Sequence, residues 1–309
     1  GNDIYDNIEG NVLDDTPVNI TIGEDNQDVT IPFVYNHQAL LDINPDGLGF
    51  LYVPSVDIRL PIAQTTDNDF YLTHTFDKTY NRNGCLFVDY RIKDGLNASH
   101  VIIYGHNMGS GAMFGTLARY KNSGFYQTEG NDVFYIYTED VIREYKIFTV
   151  YITDPISDTF TFNFSNLSGL REYAKNVQAE SLYNTGVDIS NATQVVTFST
   201  CTDDSKQRVI VSGTYVGESK LDNGTSIFFD YDSDTDEISI HGMPAGGDSK
   251  QCVYIGWQDK DNNNDQTVLY GIWQDPAPAG EWKDYYVTLT ISGYGDDAKI
   301  VSYQKIEDN

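Results

Sequence analysis

Apolar residues in this chain come in short runs bounded by Gly, Asn, Asp and Pro, and seldom at helical spacing. Leu48–Val53, Ile58–Ile62, Cys85–Val88, Val101–Tyr104, Val133–Tyr137, Arg143–Tyr151, Val195–Phe198 and Val209–Val216 read as strands separated by turns. The 23 Tyr, with many Val, Ile and Thr, favour the same state, because branched and aromatic side chains suit a pleated surface. Val133–Tyr137 and Arg143–Tyr151 form a hairpin, with Tyr145, Ile147, Thr149 and Tyr151 alternating onto one side. A short helical turn over Ala39–Ile43 stops at Asn44-Pro45-Asp46-Gly47. One longer helix is expected from Leu170, Tyr173, Ala174, Val177 and Ala179, capped by Ser165 or Ser168. The fold class is therefore mainly β.

Three segments follow from composition. Residues 1–35 are polar and read as an extended lead-in; 36–216 hold most of the strands; 217–309 turn acidic and rich in Asp-Gly, Asp-Asn and Gly-Gly turns. Short aromatic strands in that last part (Ser226–Asp230, Cys252–Trp257, Val268–Trp273, Tyr285–Ile291) suggest a small β-sandwich or β-meander, with a boundary near Gly217. With 19 Lys+Arg against 46 Asp+Glu, the net charge of −27 repels phosphate backbones and anionic headgroups, which argues against nucleic-acid or membrane-surface binding. No apolar run is long enough to span a bilayer. The chain opens at Gly1 rather than Met, so any signal or anchor is expected to lie outside it.

Cys85, Cys201 and Cys252 are too few and too scattered for a disulfide framework or a zinc site, and an odd count leaves a free thiol. Cys201 stands out. Thr200-Cys201 ends an apolar strand, and Arg208 follows across the polar turn Asp203–Gln207, so a hairpin can set Cys and Arg on one face. A guanidinium there favours the thiolate of a group that ordinarily titrates near about 8.5, and offers donors to a carbonyl oxygen turning negative. The overall negative charge opposes a second anion, but is screened beyond a Debye length of about 8 Å. A small buried Cys beside a surface Arg would show the same spacing. Of the five histidines (His37, His74, His100, His106 and His241), His106 leaves a buried strand at Gly105, where catalytic side chains are often presented. It is a candidate acid/base partner for Cys201, with an ordinary turn residue as the alternative. His74 reads as structural, and His241 lacks an obvious partner.

Several ordered motifs resemble the class B sortases: Leu40–Asp46 through Pro61–Gln64, Asp67–Leu72, Gly84–Arg91, Ile103-Tyr104-Gly105-His106-Asn107-Met108, Met113–Leu117, and Thr197–Cys201 with Arg208. The resemblance covers about 36–216. It implies a closed eight-stranded β-barrel with a helical insertion between two late strands, followed here by a small C-terminal all-β domain. It also implies a cysteine transpeptidase, without cofactor or metal, at the outer face of a Gram-positive membrane. Cys201 would attack the Thr carbonyl of an NPxTx-like sorting signal on a surface protein. His106 would protonate the departing amine and then assist an amine of peptidoglycan or a pilin subunit. Arg208 would hold the oxyanion, and Thr200 would line the substrate pocket. Phe50 stands where the family usually has Trp, Cys85 where Ser or Ala is common, and Thr202 where many relatives have an acid, with Asp203 and Asp204 following.

Two rival readings keep the barrel: a surface binding or scaffolding module, and a thiol peptidase that passes its acyl group to water. Nothing familiar marks 217–309, which could dock a substrate, cover the groove or space the barrel from the wall. There Asp259–Asp265 clusters oxygen ligands in a calcium-like spacing, but without the sixth-position Gly and with Tyr270 at the place of the bidentate acid, so a solvated acidic loop is expected. Trp257, Trp273 and Trp282 read as core of that domain, with sugar stacking as the alternative.

Overall fold

The runs of branched and aromatic residues form the strands expected of them. In the computed structural model they are β1 (Gly47–Val53), β2 (Ile58–Ala63), β3 (Leu86–Val88), β4 (His100–Tyr104), β5 (Val133–Tyr137), β6 (Val141–Thr153), β7 (Val195–Cys201) and β8 (Arg208–Lys220). They close into the expected barrel in the order β1-β2-β3-β4-β7-β8-β6-β5. β2–β3 and β4–β7 run parallel and the remaining neighbours antiparallel. Among the described residues four α-helices accompany them: α1 (Asp3–Val12), α2 (His37–Ile43), α3 (Ser123–Gln127) and α4 (Leu167–Ala179). The structure describes residues 3–22, 27–139 and 141–220, together with the strand backbone of 226–232, 237–243, 253–263, 266–276, 282–292 and 299–307.

Aromatic rings fill the barrel. Phe198 of β7 meets Phe134 of β5 at 4.6 Å and Phe114 at 5.2 Å, while Tyr145 of β6 stacks on Phe134 at 5.0 Å. Gly213 on β8 leaves room for that pair, since a Cβ there would lie 2.4 Å from the Phe134 ring. Phe50, where the family usually has Trp, is fully buried in a second cluster with Phe33, Tyr35 and Tyr137. Its role is packing.

Helix α4 forms the insertion between β6 and β7. Its buried Leu170, Tyr173, Ala174 and Val177 pack on Phe148, Tyr151, Val195 and Ile210, while Ala179 is exposed. The cap is Asn166, whose side chain accepts from the Gly169 amide at 3.0 Å, rather than Ser165 or Ser168. Asn caps as well as Ser, and here only Asn166 sits immediately before the first helical residue.

The simple alternation expected in β6 fails at Phe148. The β6–β8 ladder shifts register between Ile147 and Thr149, so Tyr145, Ile147 and Val150 face the barrel core, whereas Phe148 and Tyr151 face α4. A second bulge explains Gly217. Glu144 pairs with Gly217 and Tyr145 with Tyr215, so Val216 is the extra residue and β8 runs through to Lys220. The chain divides into compact units 1–221 and 222–309.

The lead-in 1–35 is not simply extended. Ile4, Ile8 and Val12 recur at one-turn spacing, and α1 buries Ile8 and Val12 in the cluster with Tyr71, Phe76 and Cys85. Each such side chain contributes about 1.5–3 kcal/mol when buried. Tyr5 reaches further, donating its hydroxyl to the Gly84 carbonyl. The remaining strands, Val18–Ile22 with Gln27–Ile31 and Leu13–Asp14 with Val34–Tyr35, are extended as expected.

Among the described residues, the second unit is a meander of six antiparallel strands in chain order, from Ser226–Asp232 to Lys299–Glu307. Asp259–Asn263 continue a strand rather than form a loop. Asn264, Asp265 and Cys252, and the side chains of that acidic run, His241, Trp257, Trp273 and Trp282, lie outside the described residues. Among the described residues no helix is long and apolar enough to cross a membrane, and no His/Cys/Asp/Glu group could hold a metal.

The barrel closes where β1 meets β5, and Gly49 sits at that seam. A Cβ there would fall 2.2 Å from the Tyr137 carbonyl oxygen, a backbone atom. Gly49→Ala is expected to destabilise the barrel by about 1–3 kcal/mol. Mass-spectrometric labelling of buried Cys85 along a urea titration reads this out as a lower midpoint.

Candidate active site

Two strand pairings assemble the site. β7 ends at Cys201, which is in register with Arg208 at the start of β8. On its other side β7 pairs in parallel with β4, Ser199 opposite Tyr104, and the Gly105 amide continues the ladder by donating to the Ser199 carbonyl at 3.2 Å. His106 therefore emerges next to Cys201. Gly105 is required for this exit, because a Cβ there would lie 2.5 Å from Leu86 and 2.6 Å from Phe114.

The turn between Cys201 and Arg208 is fixed by its own side chains. Thr202 Oγ1 donates to Asp204 at 2.6 Å and accepts from the Gln207 amide at 3.1 Å, while the Lys206 amide donates to Asp204 at 3.0 Å. Hydrogen bonds from Thr202 and the Lys206 amide hold the Asp204 carboxyl below its usual range. Arg208 Nη1 donates to the carbonyls of Gln207 at 3.0 Å and Ser205 at 3.4 Å. That use leaves further donors of the guanidinium fork for a ligand.

His106 Nε2 donates to the Leu72 carbonyl at 2.6 Å, which fixes one ring hydrogen on Nε2, since a carbonyl only accepts. Leu72 is itself well placed. Buried Asn44 makes the Asn44-Pro45-Asp46-Gly47 turn a hub: Asn44 donates to Tyr71 Oη at 2.8 Å and to the Phe76 carbonyl at 2.7 Å, and Tyr71 donates to Asp46 at 2.6 Å.

His106, Cys201, Arg208 and Thr200 all line one cavity of about 620 Å³, so the four residues singled out by sequence come together. Thr200 is buried, and among the described residues its Oγ1 has no hydrogen-bond partner. A buried hydroxyl left unpaired at a cavity wall is a donor and acceptor available to a ligand.

Sequence reasoning missed three features. Asn107 donates to the Cys201 carbonyl at 2.9 Å and to Asp203 at 3.0 Å, tying the His106 loop to the Cys201 turn and giving Asp203 a use. Its position directly after His106 was the only signal. The second feature is a paired charge. Arg91 binds Asp89 through Nε at 3.0 Å and Nη2 at 2.9 Å, and Tyr104 donates to Asp89 at 2.8 Å. Burial pushes the Asp89 carboxyl up, but the bonds from Arg91 and Tyr104 outweigh it and hold the group below its usual range. Arg91 and Tyr104 line the cavity, and an acid two residues before an Arg after an apolar strand was the available clue. Third, Pro155, Ile156, Ser157 and Phe160 form a wall, with Ile156 94% exposed, an apolar side chain presented to solvent at the cavity.

The comparisons with known proteins agree with this fold. The sortase-domain family pattern matches residues 51–216, more than half of the chain. Sortase B of Listeria monocytogenes is 32% identical over 181 residues, covering 57% of this chain and 72% of that protein. The X-ray structure of Clostridium perfringens sortase B superposes with a TM-score of 0.54 at 32% identity, covering 59% of this chain and all of that one (100%). Sortase B from Bacillus anthracis, solved in complex with AAEK2, gives 0.53 at 29% identity, covering 59% and 83%. A closed barrel of this strand order with a thiol at the end of β7 is the sortase architecture, and the chain belongs to that family. Within it, this is a class B sortase, with α4 as the insertion, and its enzyme class is cysteine transpeptidase.

The two described cysteines separate cleanly. Cys201 is half-buried at the cavity, whereas Cys85 is 2% exposed and burial pushes its thiol up. Iodoacetamide on the native protein is expected to label Cys201, with Cys85 at least about a hundredfold slower because its labelling waits on opening of the core. Site-resolved mass spectrometry gives the ratio.

Proposed function

We propose that this sortase cleaves an NPxTx-like sorting signal after its Thr and transfers the surface protein to an amine of peptidoglycan or of a pilin subunit, at the extracellular face of a Gram-positive cell membrane. The observation that carries the reading is the register that sets Cys201 beside Arg208 and one strand from His106, all on one cavity. The chemistry follows. Cys201 Sγ, as thiolate, adds to the Thr carbonyl carbon, and the negative charge that builds on oxygen is met by Arg208 N–H donors. Collapse of this intermediate breaks the C–N bond, and the leaving amine takes a proton from His106. A thioester between substrate Thr and Cys201 remains.

An incoming amine adds to the same carbonyl and surrenders its proton to His106; the C–S bond breaks, a new amide forms, and the thiolate returns. Nε2 of His106 is committed to Leu72, so protons move through Nδ1. Asn107 keeps the His106 loop and Cys201 at a fixed spacing through both halves of the reaction. The unpaired Thr200 hydroxyl binds the peptide near the scissile bond, and Ile156 gives an apolar surface for its upstream residues.

Kinetics on sorting-signal peptides test this. Cys201→Ala is expected to abolish cleavage, while His106→Ala and Arg208→Ala each lower kcat/KM by about 10²–10⁴. Added primary amine should shift product from the free acid to the amide. Turnover unchanged in Cys201→Ala would contradict the enzymatic roles, and a product mixture indifferent to amine would make the protein a hydrolase.

A further inference from the structure

One buried histidine has no part in the chemistry above, yet its bonds end at the cavity wall. His100 opens β4 and is fully buried. Its Nδ1 lies 2.6 Å from the Thr161 carbonyl, which only accepts, so Nδ1 carries the hydrogen and Nε2 is the acceptor. Thr197 Oγ1, 2.7 Å from Nε2, therefore donates to it and accepts in turn from Ser212 at 2.9 Å. Burial pushes the imidazole down to about 4, so it stays neutral with this one-donor, one-acceptor pattern near neutral pH. Tyr173 of α4, packed on the His100 ring at 4.7 Å, donates its hydroxyl to the Thr159 carbonyl at 2.7 Å. The Tyr151 hydroxyl of β6 lies 2.7 Å from Thr159 Oγ1.

These bonds converge on Thr159 and Thr161, on either side of Phe160, which lines the cavity together with Pro155, Ile156 and Ser157. Apart from one 3-10 turn, Asp158–Phe160, that wall has no regular structure of its own. The other ends of the network lie on β4, the strand that leads to His106, and on β7, the strand that ends in Cys201.

We infer that His100 is a positioning residue that, with Thr197 and Tyr173, fixes the Pro155–Phe160 wall relative to Cys201 and so sets affinity for the sorting peptide rather than the chemistry at sulfur. The inference rests on the proposed function for its substrate, and on geometry alone for the anchoring. His100→Leu leaves the Thr161 carbonyl and the Thr197 hydroxyl unpaired, and the wall loses its fixed place. His100→Gln can restore a donor and an acceptor at a similar separation.

The test compares steady-state kinetics with hydrogen exchange on the full chain. His100→Leu is expected to raise KM about tenfold with kcat within about twofold, and His100→Gln to recover most of that loss. The Cys201 alkylation rate should be unchanged, and amides 156–161 should exchange faster while β7 stays protected. An unchanged KM with unchanged exchange overturns the inference. So does a loss of kcat, alkylation and β7 protection together, which would mark His100 as general core. Should His100→Leu not fold, Tyr173→Phe, which removes the hydroxyl that bonds Thr159 and lies 3.5 Å from His100 Nε2, carries the same comparison with an expected rise of about threefold; no rise and no faster exchange would overturn the inference. A wild-type protein that turns over no sorting peptide defeats the functional reading, while the exchange comparison still decides the anchoring.

Discussion

The parallel pairing of β4 with β7 is the constraint on which the rest depends. Parallel neighbours cannot be joined by a tight turn, so the chain between them must leave the barrel edge and return. Here that crossover contains β5, β6, α3 and α4, and the wall segment Pro155–Phe160. The same pairing delivers His106 and Cys201 from distant parts of the chain to one end of the barrel, and the hairpin register of β7 and β8 adds Arg208. Site and fold are thus one arrangement. A one-residue slip between β4 and β7 would turn every side chain on the shifted strand to the opposite face, and the packed Phe198, Phe134 and Phe114 rings forbid it.

Net charge says little about this cavity. The chain carries a net −27, yet the wall and floor hold Arg91 and Arg208. Asp89, a fully buried carboxylate beside them, is satisfied by Arg91 and Tyr104. Asp89 is buried while Arg91 is half-exposed, so removing Arg91 would leave a buried carboxylate without its charged partner, which is costly. Its effect is to hold Tyr104 and Arg91 in place beside the strand end from which His106 emerges. Local geometry, not the distant surplus of acid, determines what kind of ligand this cavity accepts.

Much of this was legible in the residues. Strand positions follow from apolar runs and turns, and the exit at Gly105-His106 and the Cys201–Arg208 hairpin were readable from spacing alone. The gathering of these groups with Thr200 on one cavity was an expectation of the family resemblance. What stayed hidden has specific causes. The bulges at Phe148 and Val216 break a period of two without leaving a distinctive residue, so simple alternation puts Tyr151 on the wrong face. The apolar face of α1 is only Ile4, Ile8 and Val12 in a polar segment, and its helical state is secured by packing on the barrel. Asn107 and His100 act through partners far away in sequence, Cys201 and Thr161, and no local pattern announces such bonds.

The central claim is that the sulfur of Cys201 becomes bonded to the substrate's acyl carbon. Mass spectrometry of the protein quenched in acid during turnover of a sorting-signal peptide tests it directly. The account predicts an adduct on the Cys201 peptide equal to the substrate up to and including its Thr, released by added amine. Cleavage proceeding with Cys201 never acylated, or with the adduct on another residue, would contradict it.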